Sequence, residues 1–341
     1  MRVGILTSGG DCQALNATMR GLALTLYRNV KDVEIIGFID GYKGLMYEKY
    51  KKMKPKDFYD ILNVGGSILG NSRCPFKRMR IIENGFDKVK AMKNTYKKLE
   101  LDCLVVLGGN GSIKSANMLS QEGLNVIALP KTIDNDAWGT DYTFGYSSAT
   151  AIATRYLDEI KTTAASHSRV FVIEVMGHKV GHICLSAGIA AGADVILLPE
   201  IPYDIKVVAK KVKETLKNEK NYAIIACAEG AISEADALMK RKDYKAKVLA
   251  RNGRSVAYEV ADELSQEIDA EIRVSCIGHA QRGGNPNSYD REISTRFGVE
   301  GARLIIKKHY GEYVVLQGNH VTHIPLEATA GKLKYVDPKA S

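Results

Sequence analysis

The sequence predicts an α/β protein built as two Rossmann-like, three-layer lobes with mostly parallel sheets. Three observations lead there. Short apolar runs alternate with longer amphipathic segments. The alternation occurs in two series, the second beginning near residue 170. Several of the apolar runs end in glycine-rich turns.

In the first series, VGILTSGG (3–10) reads as a strand followed by a glycine turn, and residues 15–28 as a helix. VEIIGFID (33–40), CLVVLGGN (103–110) and NVIALP (125–130) read as further strands. SIKSANMLSQEG (112–123) is expected to be a helix that opens at Ser112 and stops at Gly123. In the second series, 169–177, 193–200, 221–230 and 272–280 are strand candidates. A helix is expected over 204–220 with Asp204 as its N-cap. Apolar residues at 256, 257, 260, 261, 264 and 268 carry helical spacing, and 289–308 is a long helix candidate. No Pro/Ser-rich linker parts the two series, so the chain is expected to cross between lobes more than once.

Composition narrows the class. Hydrophobic residues are 45% and charged residues 26% of 341, enough chain and apolar content for a sizeable core. No apolar run approaches the roughly 18 residues of a membrane span. The opening MRVGILTSGG reads as a strand rather than a signal peptide. The six cysteines, at 12, 74, 103, 184, 227 and 276, form no CxxC pair, and they read as reduced, mostly buried thiols of a cytoplasmic protein. The formal charge of +9 suits a lysine-rich surface or a substrate carrying several phosphates. No nucleic-acid motif accompanies it.

TSGGDCQALN (7–16) and LGGNGS (107–112) are both strand-to-helix glycine turns. Such turns let backbone N–H groups approach a phosphate at a helix N-terminus. There is no GxxxxGK[ST] for a P-loop, and the first turn lacks GxGxxG. PKTIDNDAWGTD (130–141) carries three aspartates after a strand. It offers a base and a magnesium ligand for phosphoryl transfer, or simply side chains that cap turns. IGHAQRGG (277–284) sets His279, Gln281 and Arg282 beside a glycine turn. Arg73, Arg169 and Arg273 are further candidates for binding a sugar phosphate. His178 and His182 have zinc-helix spacing but no HExxH glutamate, so a zinc site is not expected.

Taken in order, LTSGGD…LN, GGSILGNSR, GGNGS, PKTIDND…GTDYTFG, SHSRVFVIEVMG, AEG and GHAQRGGNP…DR run through nearly the whole chain. Together, and above all in TIDND with GHAQRGG, they resemble the phosphofructokinase family. The resemblance implies transfer of a phosphoryl group from ATP to the 1-hydroxyl of fructose 6-phosphate, with Mg2+. It places the active site in a cleft between a donor lobe (1–145 plus about 281–325) and a sugar-phosphate lobe (146–280 plus the C-terminal segment). It also implies a homodimer or homotetramer, with no nucleic-acid or membrane partner.

Roles follow by matching position. Asp134 would be the base, with Thr132 and His178 also in the catalytic group. Asp136 and Asn110 would hold the metal. Gly10, Arg73, Cys74, Gly109, Asn110, Gly111, Ser112 and Lys131 would line the donor site. Thr132, Ile133, Asp134, Met176, Gly177, His178, Glu229, His279, Ala280, Gln281 and Arg282 would bind the fructose phosphate. Arg169 and Arg273 would join them from a neighbouring subunit.

The sequence departs from the family pattern in two places. Asn110 stands where an aspartate is usual, and His178 where an arginine is usual. These motivate a contrasting reading, a catalytically impaired ligand-binding subunit, against which Asp134 argues. A second alternative is diphosphate-dependent transfer. Gly111 leaves room for the α-phosphate of ATP, whereas Lys131 resembles the diphosphate-dependent members; the steric argument favours ATP. Of the family's effector-site positions, Arg20 matches while Leu24, Pro55 and Lys161 do not, so a weak or absent effector response is expected.

Overall fold

A computed structural model describes residues 1–218, 220–329 and 331–339. The chain divides into two units, Met1–Ser148 with Arg282–Lys334, and Ala149–Gln281 with the segment from Tyr335. In chain order, unit 1 begins with β1 (Arg2–Ser8), α1 (Leu15–Asn29), β2 (Glu34–Phe38), α2 (Tyr42–Met46) and β3 (Tyr50–Met53). It continues through α3 (Lys88–Lys98), β4 (Cys103–Gly108), α4 (Asn110–Gln121) and β5 (Val126–Pro130). Helix α5 (Tyr146–His167) carries the chain from one unit into the other. Unit 2 holds β6 (Val170–Val175), α6 (His182–Ala190), β7 (Val195–Leu197), α7 (Ile205–Lys217) and β8 (Ala223–Ala228). Then come α8 (Glu234–Ala237), α9 (Arg241–Ala250), α10 (Val256–Ser265) and β9 (Ile272–Cys276). The return to unit 1 adds α11 (Ser288–Ile306), β10 (Glu312–Gln317) and β11 (His320–Pro325).

The sheet of unit 1 has the order β11-β10-β5-β4-β1-β2-β3. Its central strands are parallel, and β3 and β11 pair antiparallel at the two edges. Strands β4 and β5 are buried along their whole length. Both faces are covered, so they read as continuous apolar runs rather than as alternating ones. Helices α1 and α11 cross closely: a side chain at Gly21 would meet the Thr295 carbonyl at 2.5 Å, so only glycine fits there.

The sheet of unit 2 is all parallel, in the order β7-β8-β6-β9. Helix α7 begins where Asp204 accepts a hydrogen bond from the Lys206 N–H at 2.9 Å, the N-cap that its sequence predicts. The predicted end of that helix includes residue 219, which lies outside the described residues. Ser255 caps α10 in the same way through the Ala257 N–H.

Three expectations about elements need correction. Helix α4 begins at Asn110, not Ser112, because the turn tightens directly out of β4 with Gly109 as its N-cap. The strand expected over 272–280 ends at Cys276, and Gly278–Arg282 forms a 3-10 turn. The strand expected over 193–200 is only Val195–Leu197. The cysteines are free; Cys12, Cys103, Cys184 and Cys227 are buried and Cys276 is exposed. Among the described residues, no helix is long and apolar enough to cross a membrane.

Candidate active site

Strand order and register assemble the site in unit 1. Strand β1 leads outward to β2 on one side, while β4 leads to β5 on the other, so the order of strands reverses between β1 and β4. Ligands of open α/β sheets sit at the carboxyl ends of strands at such a point. Ser8 pairs with Gly108 across β1 and β4, and Gly108 with Pro130 across β4 and β5. The two glycine turns and the acidic loop therefore emerge side by side from three adjacent strands. The sequence announces each turn, but not their adjacency.

Lys131 ties these segments together. Its side chain is buried, and Nζ donates to the Gly10 carbonyl. Burial pushes the amine down to about 8, against the neighbouring acids Asp11 and Asp134 that favour its charge. From the far side, the Arg282 guanidinium packs on Gly10, where a side chain would meet Nη1 at 2.7 Å, and donates to the Asp11 carbonyl at 3.0 Å. Arg282 thus lies on the first glycine turn within unit 1.

Asn110 opens α4, and its Nδ2 donates to Asp136 Oδ2 at 2.6 Å. The other carboxylate oxygen of Asp136 is buried and meets no hydrogen-bond partner. Burial first, and the Asp134 charge second, push the Asp136 carboxyl up to about 6. Asp134 is half-buried, and its backbone N–H donates to Thr132 Oγ1 at 3.1 Å. Ile133 is fully buried. Outside its chain neighbours and the backbone of its own helix, no atom lies within 4 Å of where a side chain would begin at Gly111, whereas Gly109 is backed by the Lys131 carbonyl at 3.4 Å. Ser112 accepts the Tyr42 hydroxyl through its carbonyl at 2.7 Å. Arg73 and Cys74 line a cavity of about 230 Å³ with Lys43, Tyr47 and Arg78.

A residue to which the sequence reading gave no role supports the loop. Asp290, fully buried in the first turn of α11, accepts from the Tyr142 hydroxyl at 2.6 Å and the Gly145 N–H at 2.8 Å. It also accepts from the N–H and hydroxyl of Ser148, at 2.8 and 2.5 Å. Thr143, in the segment so held, donates its hydroxyl to the Thr132 carbonyl at 2.7 Å, and its N–H to Asn135 Oδ1 at 3.0 Å. The DR pair at 290–291 was the available signal, but its partners lie far away in sequence.

Unit 2 gathers a second group at the carboxyl ends of its parallel strands. Met176, Gly177 and His178 follow β6, Glu229 follows β8, and His279, Ala280 and Gln281 follow β9. Glu229 Oε1 accepts the N–H groups of Gly177 and His178 at 3.0 and 2.5 Å, which holds that turn in shape. His178 is exposed with φ of 55°, outside any helix, so its spacing to His182 has no helical meaning. Arg169 and Arg273 are not part of this group. Arg169 precedes β6, Arg273 lies early in β9, and both pair with Glu271 at the amino end of the sheet.

Of the positions matched by resemblance to the family's effector site, Arg20 donates to the Tyr59 carbonyl at 3.3 Å, Leu24 is buried, and Lys161 donates to the Ala191 carbonyl.

The phosphofructokinase family model matches residues 2–305. The chain belongs to the phosphofructokinase family. It is 48% identical over 339 residues to the ATP-dependent 6-phosphofructokinase of Spirochaeta thermophila, covering 98% of this chain and 92% of the relative. It is 39% identical over 341 residues to the pyrophosphate–fructose 6-phosphate 1-phosphotransferase of Amycolatopsis methanolica, covering 99% and 97%. The crystal structure of Pichia pastoris phosphofructokinase in the T-state superimposes with a TM-score of 0.83 at 29% identity. That match covers 96% of this chain and 35% of the other, so the chain spans about a third of that protein's length. Phosphofructokinase membership accounts for the α/β fold with mostly parallel sheets.

Proposed function

We infer that this phosphofructokinase phosphorylates fructose 6-phosphate at its 1-hydroxyl, using ATP. The observation that carries the reading is the contact of Asn110 with Asp136, which docks the acidic loop on the turn that opens α4. A base and a phosphate-binding helix terminus then share one strand-end platform.

Asp134 takes the proton of the sugar 1-hydroxyl as that oxygen forms its bond to the γ-phosphorus. The bond from phosphorus to the β–γ bridging oxygen breaks, and ADP leaves with that electron pair. N–H groups of the turns at Gly10 and Gly109–Ser112 face the donor phosphates, with Lys131 adding charge beneath them and Arg73 and Cys74 bordering the nucleotide side. Met176, Gly177, His178, Glu229, His279, Ala280 and Gln281 recognise the sugar phosphate.

The residues present fit a magnesium ion. The buried Asp136 oxygen without a hydrogen-bond partner is the kind of single carboxylate ligand that magnesium takes alongside donor phosphates. Asn110 spends its amide donor on that carboxylate. Bound there, Mg2+ would neutralise charge on the transferring phosphoryl group.

Open space at Gly111 supports ATP over diphosphate. A coupled assay on the purified chain tests this: turnover with ATP is expected, and turnover with diphosphate alone would overturn it. A homodimer or homotetramer belongs to the same reading, because Arg169 and Arg273 stand at the wrong end of their own sheet to serve the Met176–Glu229 group. Light scattering of the purified protein tests it, and a monomer at assay concentration would refute it. A cytoplasmic location fits these substrates.

A further inference from the structure

The short segment 332–334 has no role in the reading above, yet it lies along the acidic loop. The Lys334 N–H donates to the Asp136 carbonyl at 2.9 Å, and Leu333 forms an antiparallel bridge with Ala137. The Lys334 Nζ donates to the carbonyls of Thr140 and Asp141, at 2.9 Å each. The Lys332 ammonium stands 4.1 Å from the centre of the Trp138 ring. All of these contacts fall on residues 136–141, a turn-containing stretch whose Gly139 has φ of 87°. A lysine ammonium has three donors and no acceptor, so one side chain can tie two successive carbonyls of this stretch together.

We propose that this C-terminal strap, anchored by Lys334, is a positioning element that sets the main chain at Asp136 and thereby aims its carboxylate. Asp136 is held at both ends of the residue. Its carbonyl is bound by the strap and its side chain by Asn110, which leaves one carboxylate oxygen available. Fixing the backbone beside a ligand removes the motion that would spread its oxygen over many positions. Lys334 touches neither substrate nor reacting atoms. The catalytic meaning of the strap rests on the reading of Asp136 as the metal-binding carboxylate.

The test uses full-length Lys334→Gln and Lys334→Arg, read first by hydrogen–deuterium exchange without ligands. In Lys334→Gln, amides of 136–141 are expected to exchange at least about tenfold faster while the strands of unit 1 keep their protection. In turnover, kcat is expected to fall about tenfold with KM for fructose 6-phosphate within twofold, since the loss lies in aim rather than sugar binding. Lys334→Arg, which keeps a donating cation, is expected to recover most of the protection and the rate. Unchanged exchange in 136–141, or a lost rate with no change in exchange, overturns the proposal. If Lys334→Gln does not fold, the native chain still decides. The amide of Lys334 itself must be protected about a hundredfold or more, and exchange at the free-peptide rate would sink the strap. Failure of the underlying functional reading shows itself separately, as a native chain without turnover.

Discussion

Asn110 and Asp136 are joined by a 2.6 Å hydrogen bond in which the amide donates and the carboxylate accepts. An aspartate at 110 would instead place two carboxylates face to face. Asn110→Asp is therefore expected to lower the stability of the metal-free protein by about 1–3 kcal/mol at neutral pH. The same change is expected to reduce the half-saturating Mg2+ concentration several-fold. Thermal unfolding without metal and a magnesium titration of the rate check both, and an unaltered magnesium requirement would remove Asn110 from the metal site.

Asp136 sets an unusual pH dependence. Its folded-state carboxyl lies at about 6, above the ordinary 3.8, so the folded protein holds this proton more tightly than the unfolded chain. Its contribution to stability is accordingly greatest below about pH 4, declines as pH rises toward 6, and is level above that. The full span is roughly 3 kcal/mol. Denaturant unfolding from pH 4 to 7, compared with Asp136→Asn, isolates the term. The variant should lack the decline, and identical profiles would refute it.

Gly111→Asp should fold normally, because no other part of the protein beyond its own helix and chain neighbours lies within 4 Å of where its side chain would begin. The new carboxylate would occupy the donor's space and repel its phosphates. ATP-dependent kcat/KM is expected to drop a hundredfold or more with the melting temperature nearly unchanged. Full ATP activity in the variant would invalidate the steric argument for the donor.

Asp290→Ala would leave the Tyr142 hydroxyl and the Gly145 and Ser148 donors buried without their common acceptor. A loss of about 3–5 kcal/mol is expected in denaturant unfolding. A change below about 1 kcal/mol would show that the network is not what secures the segment behind the acidic loop.

Much of this was legible in the chain itself. Glycine turns, a capped helix start at Asp204 and apolar strand runs are local features, written by backbone conformation and hydrogen bonds a few residues long. The TSGGD, GGNGS and TIDND segments could be identified one by one because each carries its chemistry within about a dozen residues. Helix α4 was misplaced by two residues for the same local reason: a glycine N-cap leaves no side-chain signal.

Tertiary structure alone decided which segments meet. Strand order β5-β4-β1 brought three separate turns to one edge. Asp290 found Tyr142 across 148 residues, and Lys334 found Thr140 across 194. It also set Arg169 and Arg273 at the end of their sheet opposite Glu229. Periodicity and composition record which side chains seek burial or a hydrogen bond, but register and strand order determine the distant group that supplies it.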